Sequence, residues 1–523
     1  MQKILTSSYS IAFFSGALAV LGYAPFGIFP LPILALAVLF WLWSRAERPA
    51  QAAWLGLSFG MGLFCFGIGW IYVALHIYGY MHPILAALAT ALFAAVNATL
   101  PALAGYAARR IIAYTTPSPQ GGEGWGEGRY RITLLILPAI WTLAEWLRGL
   151  LFTGFPWLAV GYSQAPDSPL AGYAPLLGVY GVSLLVAVSA ALLLVLWGVR
   201  WSRPGKIALA ALLVLWVGGA LLRTVAWTQP QGEPLKVSLL QGNIAQDEKF
   251  EEDRLVVTLE TYRRLAQDTD ARLIVLPETA LPLLRDNVPD SYHAILSDHA
   301  RRNGGDILIG AFEKENGSYY NSVYSLGSSE SQHYRKDHLV PFGEFIPLRS
   351  VFGWLVNEVL QIPMGDQASG GAHQAPLNVA GQKVAVDICY EDAFGEEIIR
   401  ALPEATLLAN VTNDAWYGES HAAMQHNQLS QMRALETGRM MLRATNTGVT
   451  SVIGVDGRVQ AMLPQHEEGV LTAQVQGYVG STPYVRWGNA GMLGLVAVML
   501  LAAWWGQRRT SPRPLAGDNE RLG

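Results

Sequence analysis

The chain has 523 residues, 51% of them hydrophobic and 15% charged, with a formal net charge of −4. This is the composition of a membrane protein carrying a soluble part. The small net charge excludes a broad basic surface for nucleic acid. The two cysteines, Cys65 inside an apolar run and Cys389 far along the chain, do not make a disulfide framework.

Seven apolar runs come first: Tyr9 to Tyr23, Leu31 to Trp43, Ala53 to Leu75, Ile84 to Ala108, Ile132 to Phe152, Leu176 to Val199 and Ile207 to Leu222. A hydrocarbon core of about 30 Å needs runs near 20 residues. The first two are short and joined through Pro25 and Pro30. A signal peptide is an alternative for the first, but no small-residue cleavage site follows it, so it is counted as a span. Basic residues fall in every second loop: Lys3, then Arg45 and Arg48, then Arg109, Arg110, Arg129 and Arg131, then Arg200, Arg203 and Lys206. The intervening loops, 24–30, 76–83 and 153–175, contain no Lys or Arg. Basic loops are retained in the cytoplasm, so the N-terminus is expected inside and the soluble part outside, in the periplasm of a bacterium. A last run, Trp487 to Trp505, returns the chain to the cytoplasm, where Arg508, Arg509, Arg513 and Arg521 agree with that side.

The expected organisation is a membrane domain with seven transmembrane helices over 1–230, a soluble domain over 231–480, a closing transmembrane helix over 486–506 and a cytoplasmic tail over 507–523. That makes about eight spans in an α-helical membrane bundle. The turn-rich segment Thr115 to Gly128 reads as a cytoplasmic loop without a catalytic role. The outer loop after the fifth run is different. Glu145 and Arg148 lie three apart and share a helix face, and Trp157 and Tyr162 follow in a glycine-rich aromatic segment. Charged residues in a membrane helix face protein or water, so Glu145 and Arg148 are either functional or a packing lock; Trp157 and Tyr162 also fit simple interfacial aromatics.

The soluble part alternates short β-like runs with amphipathic stretches. Strands are expected at Val237 to Gln241, Leu273 to Leu276, Ile307 to Phe312, Ser322 to Leu326, Lys383 to Ile388, Thr406 to Val411, Thr450 to Val455 and Val470 to Val475. Helices are expected at Glu251 to Gln267, Tyr292 to Asn303 and His421 to Arg439. The pattern is that of an α/β layered sandwich, in which reactive groups gather at strand ends. Glu278, Lys336 and Cys389 each sit at such an end. A lone cysteine after a strand is commonly a small buried hydrophobe; the carboxylate and the amine in matching positions favour a nucleophile.

These residues carry a resemblance. Leu-Pro-Glu-Thr around Glu278, Arg-Lys-Asp-His-Leu-Val-Pro-Phe-Gly-Glu from Arg335 to Glu344, and Cys-Tyr-Glu-Asp from Cys389 resemble the Glu-Lys-Cys triad motifs of the carbon-nitrogen hydrolase (nitrilase) superfamily. Nearly the whole chain, including Thr-Gly-Phe-Pro-Trp-Leu at 153–158, resembles the bacterial apolipoprotein N-acyltransferase family within it. One departure is Phe250 after Lys249, where that resemblance would place Trp. The resemblance implies an αββα sandwich. It also implies transfer of a fatty acyl chain from a phospholipid to the α-amino group of the diacylglyceryl-modified N-terminal cysteine of an apolipoprotein. A tethered amidohydrolase and a catalytically silent receptor or transporter are the competing readings; the intact triad opposes the second, and the size of the membrane part opposes the first.

The chemistry stands beside the resemblance. A thiol is mostly protonated at neutral pH and needs a base or a nearby cation, and attack on an ester carbonyl builds oxyanion charge. Glu278 takes the base role, Lys336 with the N–H of Tyr390 the oxyanion, and Cys389 the nucleophile. Arg335 points to the opposite strand face. Supporting roles fall to Glu344, which by the resemblance helps orient the site and otherwise is a solvated loop acid, and to Tyr390 and Glu391 beside the nucleophile. Asn413, Asp414, Trp416 and Tyr417 either cover the pocket or form a plain turn. His421 and His426 lack a third ligand at zinc spacing, and no Walker-type or dinucleotide glycine loop is present, so neither metal nor cofactor is expected.

Overall fold

The computed structural model describes residues 2–115, 132–199, 201–347 and 366–510. The turn-rich segment from 116 onward with Arg129 and Arg131, residue Arg200, and the tail beyond 510 with Arg513 and Arg521 lie outside them. The N-terminal part is helical: α1 Gln2–Ala19, α2 Pro30–Arg45, α3 Pro49–Gly67, α4 Pro83–Thr115, α5 Leu137–Arg148, α6 Ala174–Val199 and α7 Arg203–Leu222. Proline begins α2, α3 and α4, where its missing N–H costs no helical bond. Among the described residues, four helices are long and apolar enough to cross a membrane (Pro49–Gly67, Pro83–Ile112, Pro169–Val199, Arg203–Leu222), and three more are apolar but shorter (Ser7–Gly22, Pro30–Arg45, Ala490–Gly506). The fifth expected run is divided: a π-helical turn, Ile132–Ile136, leads into α5, and the helix stops at Arg148, where the chain enters a loop with Phe152 and Thr153 at positive φ.

Small residues let these helices touch. A Cβ on Gly16 of α1 would lie 2.0 Å from the carbonyl oxygen of Phe59 on α3, and one on Gly62 of α3 would lie 1.9 Å from that of Phe13. Such close approach is how apolar helices gain packing energy when no water is available to drive them together.

The segment 229–479 builds two sheets. Its elements are β1 Gln229–Gln241, α8 Glu252–Gln267, β2 Leu273–Val275, β3 Leu281–Leu284, α9 Asp290–Arg302, β4 Asp306–Glu315, β5 Ser318–Gly327, β6 His333–Arg335, β7 Leu377–Val379, β8 Gln382–Ile388, β9 Leu407–Thr412, α10 Ala422–Thr437, β10 Met441–Thr445, β11 Ser451–Ile453, β12 Val459–Met462 and β13 Gly469–Val479. One sheet runs β13-β1-β2-β4-β5-β6 with β3 paired to β4, the other β12-β11-β10-β9-β8-β7. Strand alternation sorts the side chains. Val237, Leu239, Leu308, Val384, Val386, Ala409, Val411 and Leu442 point between the sheets, whereas Ile307 and Ile309 face α8 and α9, and Leu408 and Met441 face α10. This is the expected αββα sandwich. The chain then enters α11 Ala490–Thr510, which packs on α6.

α10 is unusual. Every residue from Gln425 to Thr437 is buried, including Gln425, His426, Asn427, Gln428, Arg433 and Glu436. One side of the helix lies on the second sheet and the other on the helical part, so Tyr390, Ala393, Leu429 and Met432 share a core with Trp141, Trp157 and Val179.

Candidate active site

The second sheet delivers the thiol. β8 ends at Ile388, and Cys389 follows with φ +57°, opening a short 3-10 turn over Cys389–Ala393. Non-glycine residues rarely hold this backbone conformation. Glu391 holds it here: its carboxylate accepts from the N–H groups of Ile388 (2.6 Å), Asp337 (2.7 Å) and His338 (3.0 Å) and from the Tyr334 hydroxyl (3.0 Å). Burial raises the Glu391 pKa to about 7 against the pull of Lys336 and these N–H groups. The residue expected to adjoin the nucleophile therefore ties the Cys389 turn to the loop that carries Lys336.

The first sheet delivers the other two groups. Glu278 follows β2, and its carboxylate accepts from Asn321 Nδ2 at 2.7 Å and from the N–H of Asn413 at 2.9 Å, with Lys336 Nζ 3.8 Å away. Lys336 follows β6, its own N–H bonded to the carbonyl of Asn321, and its ammonium donates to Glu344 at 2.6 Å. Glu344 also accepts from the N–H of Val340 at 2.8 Å, so it is a built part of the site and not a solvated acid. Burial opposes the charge on Lys336, but Glu344, Glu278 and Cys389 outweigh it and hold the ammonium well above its usual range. Burial and the Glu278 carboxylate push the Cys389 thiol up, with Lys336 pulling it down. The Cys389 sulfur is thus held toward its protonated form, with the Glu278 carboxylate and the Lys336 ammonium as the opposing charges nearest in effect. Arg335 turns away to Glu313 (2.9 Å) and Glu315 (2.6 Å), as strand alternation requires.

The loop after α5 meets the nucleophile turn. Tyr390 donates from its hydroxyl to the carbonyl of Gly154 at 3.2 Å, and its ring stacks with Phe155 and Trp157 at 6.4 and 6.3 Å. Glu145 and Arg148 hold that loop through its backbone. Glu145 accepts from the N–H of Val160 at 3.0 Å, and Arg148 donates to the carbonyls of Phe155 (2.5 Å) and Trp157 (2.6 Å). Trp157 is buried and donates to Gln425 at 2.8 Å, so it is more than an interfacial aromatic. Trp416 is 43% exposed, edge-on to Tyr78 at 6.4 Å; its neighbour Tyr417 is half-buried, 4.6 Å from Trp70. Phe250 is exposed.

Sequence reasoning passed over several groups. Lys249 is buried and donates to the main-chain carbonyl of Glu278 (3.2 Å) and to Thr279 Oγ1 (2.5 Å), bracing a turn in which Thr279 has φ +45°. Burial brings its pKa down to about 8, with Glu278 and Cys389 pulling the other way. Asn321, which orients Glu278 through its side chain, carries no signal beyond an ordinary amide; Asn413, weighed as pocket cover or a plain turn, reaches Glu278 through its main-chain N–H. His426 was weighed only as a metal ligand. Among the described residues no group of three His, Cys, Asp or Glu side chains is arranged to hold a metal ion.

Fold and site define a carbon-nitrogen hydrolase domain borne on apolar helices. The family model described as Carbon-nitrogen hydrolase matches residues 236–484, and that described as Apolipoprotein N-acyltransferase N-terminal domain matches residues 15–192. Proteins named apolipoprotein N-acyltransferase are similar over nearly the full length. The one from Nitrosomonas europaea is 50% identical over 95% of this chain and 98% of its own. That from Methylococcus capsulatus is 42% identical over 96% of each, and that from Chromobacterium violaceum 44% identical over 95% of this chain and 93% of its own. The chain belongs to the apolipoprotein N-acyltransferase family.

Proposed function

We propose that this protein acylates lipoproteins: it takes a fatty acyl chain from a phospholipid onto Cys389 and passes it to the α-amino group of a diacylglyceryl-modified N-terminal cysteine. The observation that carries this reading is the seam between the two parts. Tyr390, next to the thiol, is packed against Phe155 and Trp157 of the helical part, so the nucleophile is built where a membrane-held ester can reach it.

In the first half-reaction the Cys389 sulfur attacks the ester carbonyl while Glu278 takes the thiol proton. The oxyanion that forms is met by the Lys336 ammonium and the Tyr390 N–H. Collapse expels the lysophospholipid alkoxide, which receives the proton from Glu278, leaving a thioester. In the second half-reaction the neutral amine attacks that thioester, Glu278 takes the amine proton, and the departing thiolate receives it. Glu344 holds Lys336, Glu391 holds the Cys389 turn, and Glu145, Arg148 and Trp157 hold the loop above; Trp416 lies at the rim.

The protein crosses the inner membrane about eight times, with 1–230 and 486–506 as the membrane parts, 231–480 as the catalytic domain in the periplasm, and 507–523 in the cytoplasm. Alternating basic loops support that orientation.

Intact-mass analysis of protein incubated with phospholipid tests the chemistry. An acyl-sized increment on Cys389 should persist alone, because the Tyr390, Phe155 and Trp157 rings packed beside the thiol limit the approach of water. It should discharge on adding a diacylglyceryl-cysteine peptide. Rapid release of free fatty acid without acceptor, unchanged by the peptide, would favour the tethered amidohydrolase instead.

A further inference from the structure

The mechanism above leaves unused a buried cluster of four charged side chains, His426, Asp392, Asp414 and Arg443. His426, on α10, is 1% exposed. Its Nδ1 lies 2.8 Å from Asp414 Oδ1, and its Nε2 lies 3.0 Å from Asp392 Oδ1 and 3.1 Å from the main-chain oxygen of Cys389. All three neighbours are acceptors, so both ring nitrogens carry hydrogen and the ring is an imidazolium. Arg443, fully buried on β10, bonds Asp414 Oδ2 at 3.0 Å, Asp392 Oδ2 at 3.2 Å and Asn410 Oδ1 at 2.7 Å. Asn410 in turn donates to Asp387 and, at 3.1 Å, to the same Cys389 oxygen. Two cations face two carboxylates without solvent, and two of the cluster's N–H donors converge on one carbonyl.

That carbonyl belongs to the peptide unit whose other end is the Tyr390 N–H. The unit is planar and trans, so fixing the direction of its C=O fixes the N–H in the opposite direction. We propose that His426, assisted by Asn410, is the positioning residue of the oxyanion site: by gripping the Cys389 carbonyl it aims the Tyr390 N–H at the oxygen on which charge develops. The Trp157 ring lies 5.3 Å from the imidazole, so the helical part closes the open side of the same ring. The inference rests on the Proposed function in one respect, that Cys389 attacks an ester through an oxyanion stabilised by Tyr390.

Two reactions of one thiol separate this role from a general structural one. Acylation by phospholipid passes through an oxyanion; alkylation by iodoacetamide is a direct displacement and makes none, though both need the thiol proton removed. In a Cys65→Ala background, H426Q should slow acyl-enzyme formation from a phosphatidylethanolamine in mixed micelles on the order of 100-fold. KM for the phospholipid should be little changed, and alkylation of Cys389 should stay within a few-fold of the parent. Equal losses in acylation and alkylation, or no loss in either, would overturn the proposal. If H426Q does not accumulate as folded protein, N410A removes the second donor to the same carbonyl and is judged by the same split. If the parent protein alkylates at Cys389 yet forms no acyl-enzyme, the transferase reading itself is what fails.

Discussion

Replacing Lys336 by Met tests the core of the site, because the structure gives this amine two tasks. Its ammonium is buried, 2.6 Å from Glu344 and 3.8 Å from Glu278, so deleting the charge removes the cation that the two carboxylates share. Breaking a buried pair from one side costs about 3–5 kcal/mol. For a soluble domain of this size each kcal/mol lowers the unfolding midpoint by roughly 2–4 °C, so K336M should melt on the order of 10 °C lower in detergent. Loss of the oxyanion cation should separately cut acyl-enzyme formation about 100-fold or more. Adding Glu344→Gln removes one of the orphaned charges. The double variant should therefore regain much of the lost thermal midpoint and none of the lost rate. The measurements are thermal unfolding by tryptophan fluorescence and acyl-enzyme formation by intact mass. A K336M protein of parental midpoint and rate, or a double variant with restored rate, would refute the assignment.

Further outcomes follow from other parts of the molecule. Arg148→Leu removes two charge-assisted bonds to the Phe155–Trp157 backbone; acylation should fall about 10-fold or more while iodoacetamide still labels Cys389, and parental acylation would show that the loop does not need that grip. With both native cysteines replaced, Glu330→Cys in the catalytic domain and Glu47→Cys between α2 and α3 should react with a membrane-impermeant maleimide from opposite sides of the membrane; labelling from one side would end the orientation argument. The pH dependence of stability concerns His426, whose pKa the buried Asp392 and Asp414 raise from 6.5 to about 9 against burial and Arg443. A folded pKa above the unfolded one gives stability that is complete below pH 6.5 and lost as pH rises through about 9, here on the order of 3 kcal/mol. The stability difference between parent and H426Q, which cancels the titration of Lys249, should accordingly shrink across that window; a difference constant from pH 6 to 10 would mean that the ring is neutral.

Much of the scaffold was legible because its signals are local. Strands such as Lys383–Ile388 alternate in the sequence as they do in the sheet, and the triad stands at the ends of such runs. β10 was missed for a physical reason: Arg443 occupies the centre of Met441–Thr445, and a charged residue in a fully buried strand contradicts the apolar pattern. Its partners, Asp392 and Asp414, lie 51 and 29 residues away, so nothing near it in sequence announces the compensation. The role of Glu391 was only partly visible, since three of its donors are main-chain N–H groups, which carry no sequence signal. Lys249 was hidden because an amine bonded to a carbonyl and a hydroxyl looks like any surface lysine. His426 was set against the wrong test, metal ligation, because its acidic partners come from two other segments.

The polarity of α10 has a structural logic that bears on how the enzyme works. Where a helix ends or breaks, main-chain groups lose their intrahelical partners and must find others if buried. Gln425 donates to the carbonyl of Gly67, the last residue of α3, and accepts from Trp70 and Trp157. Gln428 accepts from the N–H of Ala24 and donates to the carbonyl of Ala165. Glu436 accepts from the N–H of Val179, just after Gly178 interrupts α6 at φ +67°. A purely apolar α10 would leave each of those groups unpaired at a cost of about 1–3 kcal/mol apiece, whereas these side chains make the contact directional. Hydrophobic faces slide; amide pairs and carboxylate acceptors set register. The α/β part is therefore locked to the helical part at three sites along the same helix that holds His426 against the Cys389 carbonyl, so that Cys389 keeps a fixed position relative to the helices.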